Sequence, residues 1–370
     1  MSAVATTGPA GPTNPTDPTG RTGHETGAAR RVGVGNLALV ELRRYAARAG
    51  IRWLVVAMIL VVAMTAFGAY RSSRAPSQAQ LDMAQQSYQQ SLADWKLHGQ
   101  EQIDSCQEAE QQAQATDPAA DFRCESMAAP QPEQFLPWRE SFATGASGWL
   151  EQVSTFLLLI ALMVGATFVA AEFSTGSITT WLTFEPRRGR VFASKVAVAA
   201  LATGAVVLVL GALAVGAFWV VTAVNHFTGD TTGELWSELG DRVGRLAAAG
   251  AAAGAIGAAL AFLVRHSAAV LGVVVGWLVV VDGILASQLA MTNPGIRGWM
   301  VQTNLVAWLE GGLKQDSGAT ICTADASGAT ACTGATALVV PMTHAGLLLA
   351  VVVAVVTALA LLVFRRRDVA

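Results

Sequence analysis

Long apolar runs constrain this chain more than any other feature. Several stretches of about 20 residues carry few or no charges, and that length is what a helix needs to cross roughly 30 Å of hydrocarbon. Only 14% of the 370 residues are charged and 53% are hydrophobic, whereas an average soluble domain is about 25% charged. The sequence therefore predicts an all-α polytopic membrane protein.

Hydropathy divides the chain into spans and polar segments. It predicts six transmembrane helices, at residues 53–71, 148–171, 191–224, 246–264, 268–290 and 346–364. The fourth is the least apolar, because it is rich in Ala and Gly. Around the spans we expect a disordered cytoplasmic tail (1–35), an amphipathic interfacial helix (36–52), two extracytoplasmic segments (72–147 and 291–345) and a basic cytoplasmic end after the sixth span, within 346–370.

Charge sets the predicted orientation. With both termini cytoplasmic, the inner side carries fifteen basic and six acidic residues, and the outer side carries nine basic and twenty acidic ones. This asymmetry follows the positive-inside rule. The cysteines agree, because Cys106, Cys124, Cys322 and Cys332 all fall in segments assigned to the oxidising exterior. Three pairings are possible, and nearness in the chain favours Cys106–Cys124 and Cys322–Cys332.

The two outer segments differ in character. In 72–147, apolar residues recur at helical spacing as far as Trp95, and Gly99 follows as a stop signal. A second polar helix over 101–115 would complete an extracytoplasmic helical hairpin between spans one and two. The segment 291–345 has enough apolar residues for short interfacial helices, but not for a full crossing.

The most informative stretch is the cytoplasmic coupling segment 173–186, between the second and third spans. Ser174 and Thr175 can cap a short helix there, and Pro186 disfavours its continuation. One apolar face is expected to be exposed and suited to docking in a groove of a cytosolic partner. That face comprises Ile178, Trp181, Leu182 and Glu185.

The residue pattern around this segment resembles the permease subunits of type-2 (ABC-2) ATP-binding-cassette exporters, in which the loop is a coupling helix that contacts the ATPase subunit. The positions that match are Glu172, Gly176, Ile178, Leu182, Pro186, Arg188 and Lys195. Trp181 is bulkier than the aliphatic residue usual at its position, and Arg187 adds to the arginines that follow the helix. Residues 37–52 and the turn 264–269, with Arg265, are similar to the family's entry helix and second cytoplasmic loop.

The sequence offers no sign of catalysis by this chain. It contains no G-x-x-x-x-G-K-[ST] phosphate loop, its five histidines are scattered without metal-ligand spacing, and nothing indicates a nucleic-acid partner. We therefore expect no enzyme activity, no metal and no cofactor in this chain, with ATP hydrolysed by a partner subunit.

Asp282 is the only ionisable residue well inside a predicted span, and intramembrane carboxylates are costly to bury. Two interpretations stay open: a substrate or proton role, or a structural pair with Arg245. The small-residue pairs Gly250/Gly254 and Gly272/Gly276 favour close helix packing inside the bundle, with a dimer seam as the alternative.

The resemblance implies a plasma-membrane permease that dimerises with itself or a paralogue, lies among membrane lipids and exports an amphiphilic substrate with a cytosolic ATPase. The alternative is a non-transport sensor or assembly protein that acts through its extracytoplasmic insertion. Substrate identity does not follow from the sequence.

Overall fold

The computed structural model describes residues 34–115, 120–184, 187–290, 293–316, 321–324, 330–333 and 337–367. Helices dominate this part of the chain. They are α1 (Val34–Ala47), α2 (Ala49–Ser72), α3 (Gln78–Gln114), α4 (Phe142–Ser174), α5 (Ser177–Phe184), α6 (Arg188–Val224), α7 (Gly233–Val264), α8 (Ser267–Trp277), α9 (Ala286–Ala290), α10 (Val301–Glu310) and α11 (Met342–Arg366). The predicted tail, apart from its last two residues, lies outside the described residues.

Six helical stretches in the described part of the chain are long and apolar enough to cross a membrane. They are α2, α4, α6, α7, the stretch Ser267–Ala290 and α11, which confirms the predicted number and order of spans. The fourth shows the largest difference, because α7 begins at Gly233 rather than near 246. Its first three turns combine charged residues with the buried Leu239 and Val243, and hydropathy cannot detect a helix that extends beyond the apolar layer.

The bundle is built around α4. In its most apolar 18-residue window 67% of the residues are buried, against 11% for α2, 6% for Ser267–Ala290 and 11% for α11. The central helix packs mainly against α7 and α6. The exposed apolar surface therefore belongs to the outer helices, as expected where the surrounding solvent is lipid.

Glycines permit the closest helix contacts. A Cβ on Gly257 would overlap the carbonyl oxygen of Leu162 in α4, and a Cβ on Gly165 would overlap that of Gly254 in α7. Gly250 lies against Val207 of α6, so the interior role predicted for Gly250/Gly254 is confirmed. It is wrong for Gly272/Gly276, since nothing in the described part of the chain lies within 4 Å of a Cβ placed at either residue.

The insertion after the first span is not a helical hairpin. A single helix, α3, runs from a capping box formed by Ser77 and Gln80 through Gly99 to Gln114. One glycine costs a helix only about 1 kcal/mol relative to alanine, and here Trp95 covers Gly99. The chain returns through residues 120–141, which we call the strap, by two short 3₁₀ helices.

One of the two predicted disulfides is described. Cys106 of α3 bonds to Cys124 of the strap, with their Cα atoms 5.8 Å apart. Cys322 and Cys332 are directly opposite each other in the antiparallel pair β2 (Ile321–Ala324) and β3 (Thr330–Thr333). Their side chains lie outside the described part of the structure, so the second bridge stays a prediction.

Residues 291–345 contain short helices, as predicted, and also strands that hydropathy missed. A 3₁₀ turn, Pro294–Trp299, leads into α10. The strands β1 (Gly312–Asp316) and β4 (Ala337–Pro341) then pair antiparallel and lead into α11.

Candidate functional site

The predicted coupling segment forms the short helix α5 between α4 and α6. Gly176 separates it from α4 and has a φ of 68°, a left-handed conformation that glycine adopts without steric strain. Thr179, Thr180 and Thr183 of α5 are exposed. Pro186, predicted to end this helix, lies outside the described residues, as does the side chain of Leu182.

Two details of the predicted helix are wrong. Ser174 and Thr175 do not cap α5, because both hydroxyls donate to the carbonyl oxygen of Ala171 in α4. Ile178 is not on an exposed face, since its side chain is only 1% exposed and belongs to the hydrophobic core. The exposed side of α5 is thus the side that carries its threonines.

Four charged side chains meet where α4 joins α5. We call Glu41, Arg48, Glu172 and Lys195 the charge cluster. Three of them, Glu41, Glu172 and Lys195, are at most 1% exposed. They come from α1, α4 and α6, with Arg48 at the break between α1 and α2, so one cluster joins the elements around α5.

Lys195 lies between the two carboxylates. Its Nζ is 3.1 Å from both carboxylate oxygens of Glu41 and 2.5 Å from Oε2 of Glu172, the latter an ion pair without hydrogen-bond geometry. Arg48 donates to the other Glu172 oxygen over 2.7 Å and also to the carbonyl oxygen of Phe168. Two cations therefore offset two anions, and only Arg48 of the four is partly exposed.

Aromatic rings complete the surroundings of the cluster. Nζ of Lys195 lies 5.4 Å from the ring centroid of Phe168 and 5.9 Å from that of Trp181. Arg44 of α1 lies over the same Trp181 ring, at 4.4 Å. Trp181 therefore ties α5 to α1 on one side and to the charge cluster on the other.

Tyr45 extends this contact towards the centre of the bundle. Its hydroxyl lies 3.3 Å from Oγ1 of Thr203 in α6. Burial raises the pKa of Tyr45 above its usual range, and the bond to Thr203 only partly offsets that effect. The phenol thus stays neutral at physiological pH and fixes α1 against α6 without a further charge.

The second predicted cytoplasmic turn lies beside the first. Arg265 ends α7 in a left-handed conformation, with a φ of 60°, and its guanidinium is 5.4 Å from the ring centroid of Phe173 in α4. Nearby, Arg188 donates to carbonyl oxygens at the end of α11, those of Phe364 and Arg367 among them. The ends of four spans, α4, α6, α7 and α11, therefore pack against one another at the end of the bundle where α4 leads into α5.

Some of the coupling residues predicted from the sequence are buried and others are exposed. Glu172 and Lys195 come together but are buried, whereas Gly176 and Arg187 are exposed. Sequence reasoning missed the contributions of Glu41 and Arg48. Glu41, Tyr45 and Arg48 are spaced at i, i+4 and i+7, which places all three on one face of a helix. This spacing is the sequence pattern that would have indicated their shared position.

Asp282 does not pair with Arg245 in the described structure. It lies in the π-helical stretch Leu278–Leu285, and its Oδ2 accepts a hydrogen bond from the backbone N–H of Gln302, 2.9 Å away, in the first turn of α10. Arg245 instead donates to the carbonyl oxygen of Leu309, in the last turn of the same helix. An anion at the N-terminus and a cation at the C-terminus both suit the dipole of α10.

This geometry predicts that the Asp282 carboxylate stabilises the fold. Asp282→Ala should lower the melting temperature by an amount corresponding to about 1 kcal/mol, the usual loss on removing a helix cap. Asp282→Asn keeps an acceptor oxygen and should lose less. Thermal unfolding of the purified protein in detergent measures both changes. An Asp282→Ala variant that melts at the same temperature as the unmodified protein would instead favour a substrate or proton role for this carboxylate.

Comparison with protein families places this chain in a transporter family. The family model described as "ABC-2 family transporter protein" matches residues 36–369. No curated protein matches the chain. The matched range includes all six apolar helices, the charge cluster and α5. This chain is therefore a multi-pass membrane protein that belongs to the ABC-2 transporter family.

Proposed function

We propose that this chain is the transmembrane permease subunit of an ATP-binding-cassette exporter, and that a separate cytosolic ATPase docks on α5. Permeases of this family generally work with a nucleotide-binding ATPase subunit. The observation that carries the proposal is the charge cluster, because it connects the base of α5 to the first and third spans through buried ion pairs.

The cluster supports a mechanical role for α5. A flexible attachment would absorb any displacement that the ATPase applied. Glu172 instead contacts Lys195 of α6 and Arg48 at the start of α2, so a push on α5 moves both helices. Buried ion pairs often add little net stability compared with apolar residues, but they fix one geometry. We infer that the charge cluster holds α5 in one position relative to α2 and α6.

The proposed topology places α5 in the cytoplasm together with both termini, following the basic residues. The Cys106–Cys124 disulfide is consistent with the insertion facing an oxidising exterior. In this arrangement ATP is bound and hydrolysed by the partner, and an amphiphilic substrate moves outward between two permease copies or a permease and a paralogue. The arginines near the end of α11 lie at the anionic headgroups of the inner leaflet.

The proposal predicts that Thr180→Arg disrupts ATPase binding. Thr180 is exposed on α5, so arginine there should leave the fold intact while blocking a groove shaped for a small residue. Co-expression with the proposed ATPase subunit, followed by affinity purification, should recover at least about tenfold less ATPase, equivalent to roughly 1.4 kcal/mol of binding. Thr180→Ser should bind normally, as should Ser105→Arg on exposed α3.

Cysteine labelling tests on which side of the membrane α5 lies. A Thr180→Cys variant should react with an impermeant maleimide only after cells are opened, whereas Ser105→Cys on α3 should react in intact cells. Reaction of Thr180→Cys in intact cells would place α5 outside and remove the basis for docking an ATPase.

A second candidate function is a non-transport membrane sensor or assembly protein. The specific observation in its favour is the cleft between α3 and the strap, which has the size of a ligand site. A chain that purifies without any ATPase, and whose α5 variants behave like the unmodified protein, would favour this alternative.

A further inference from the structure

A cleft lies between α3 and the strap, away from α5 and the charge cluster. It is a groove open to solvent on one side, with a volume of about 540 Å³, and small-molecule sites typically have volumes of roughly 300–1,000 Å³. Residues of α3 form one wall and residues of the strap form the other. Neither wall belongs to the transmembrane bundle.

Covalent and aromatic contacts hold the two walls together. The Cys106–Cys124 disulfide joins α3 to the strap near Gln102, which lines the cleft. Farther towards the start of α3, the rings of Tyr88 and Phe135 pack with their centroids 5.8 Å apart. The two walls are therefore held in place in the unbound protein, which limits the conformational entropy lost on ligand binding.

Trp95 forms an aromatic platform in this cleft. Its indole ring lies so close to Gly99 that a Cβ there would be 2.9 Å from ring atoms Cδ2 and Cε2. Only glycine lets the indole lie this close to the helix backbone one turn away. Trp95 and Phe135 both line the cleft, so flat apolar surface comes from both walls.

The polar groups of the cleft are mostly neutral. Gln90 and Gln102 on α3 and Gln134 on the strap supply three amides. The carboxylate of Asp94 is 3.1 Å from Nδ1 of His98. Among the described lining residues there is no lysine or arginine, which disfavours a phosphate or carboxylate ligand.

We propose that this cleft binds a neutral saccharide. A sugar ring presents an apolar C–H face that stacks on an indole, and its hydroxyl groups both donate and accept hydrogen bonds, as carboxamides also do. A purely apolar ligand would cover the amides of Gln90 and Gln102 without hydrogen-bonding them, whereas the side-chain oxygen of Gln134 already accepts from the backbone N–H of Gln131. This inference goes beyond the proposed export function and does not depend on the ATPase.

Saturation-transfer-difference NMR on the full chain tests the proposal. The protein is purified in lauryldimethylamine oxide, since maltoside and glucoside detergents would themselves occupy a sugar site. Maltopentaose, cellopentaose and xylopentaose serve as probes. At least one should bind saturably, and Trp95→Ala should weaken its Kd at least about tenfold, as expected for loss of an aromatic stacking partner.

Matched variants separate binding from folding. Trp138 is an exposed tryptophan on the same strap that does not line the cleft, so Trp138→Ala should leave the Kd unchanged. Gln102→Leu changes an exposed amide of the cleft and should also weaken binding, even if Trp95→Ala fails to fold. Lack of a signal with all three sugars, or equal weakening by Trp95→Ala and Trp138→Ala, would overturn the proposal.

Discussion

Lys195→Met is expected to destabilise the protein by about 3–5 kcal/mol, the range observed when one partner of a buried ion pair is removed. Lys195 is fully buried and is the described cation that contacts Glu41. Methionine fills similar space but leaves that carboxylate charged and without its partner. Glu172 keeps Arg48, so Glu41 is where most of the loss should arise. Thermal unfolding of the purified protein in detergent measures the effect.

The double variant Lys195→Met/Glu41→Gln provides the control. Neutralising Glu41 removes the unpaired charge while keeping a side chain of the same shape, so a large part of the lost stability should return. Non-additivity of this kind is expected between residues in direct contact. If the double variant unfolds at the same temperature as Lys195→Met, or lower, then the loss comes from packing around Lys195 and not from the charge of Glu41.

Most of the fold follows from hydropathy, because each span is a local property of the sequence. The sixth span was predicted over 346–364, and α11 covers Met342–Arg366. Prediction was weaker where a helix leaves the apolar layer, as in the first turns of α7. It also failed at Gly99, where helix continuation depends on Trp95 and not on intrinsic propensity alone.

The candidate site was predictable only in part, because its decisive contacts join distant residues. The short helix α5 follows from the local pattern around Gly176. The contact between Glu41 and Lys195, by contrast, spans 154 residues. Burial of Ile178 likewise depends on the bundle beneath α5. Periodicity identifies one side of a helix as apolar, but it does not reveal whether that side meets the protein's own core or a partner.

Gly257→Ala is expected to lower the stability by about 1–3 kcal/mol or more, as overpacking of a core usually does. The added methyl group would overlap the carbonyl oxygen of Leu162 and lie 3.0 Å from the backbone nitrogen of Ala166. Both atoms belong to the backbone of α4, so no side-chain rotation can relieve the overlap. The two helices α4 and α7 must move apart, and the interior contacts that they share are lost.

Gly244→Ala is the matched control for this prediction. Gly244 lies on the same helix, but nothing in the described part of the chain is within 4 Å of a Cβ placed there. Alanine at that position should be neutral or stabilising by up to about 1 kcal/mol, because it favours helix over glycine. The melting temperature should therefore fall for Gly257→Ala and stay the same or rise for Gly244→Ala, and a similar fall in both would contradict the packing argument. Since α4 ends at the turn that leads into α5, the proposed docking of an ATPase there further predicts that Gly257→Ala lowers the ATPase activity of the complex, whereas Gly244→Ala preserves it.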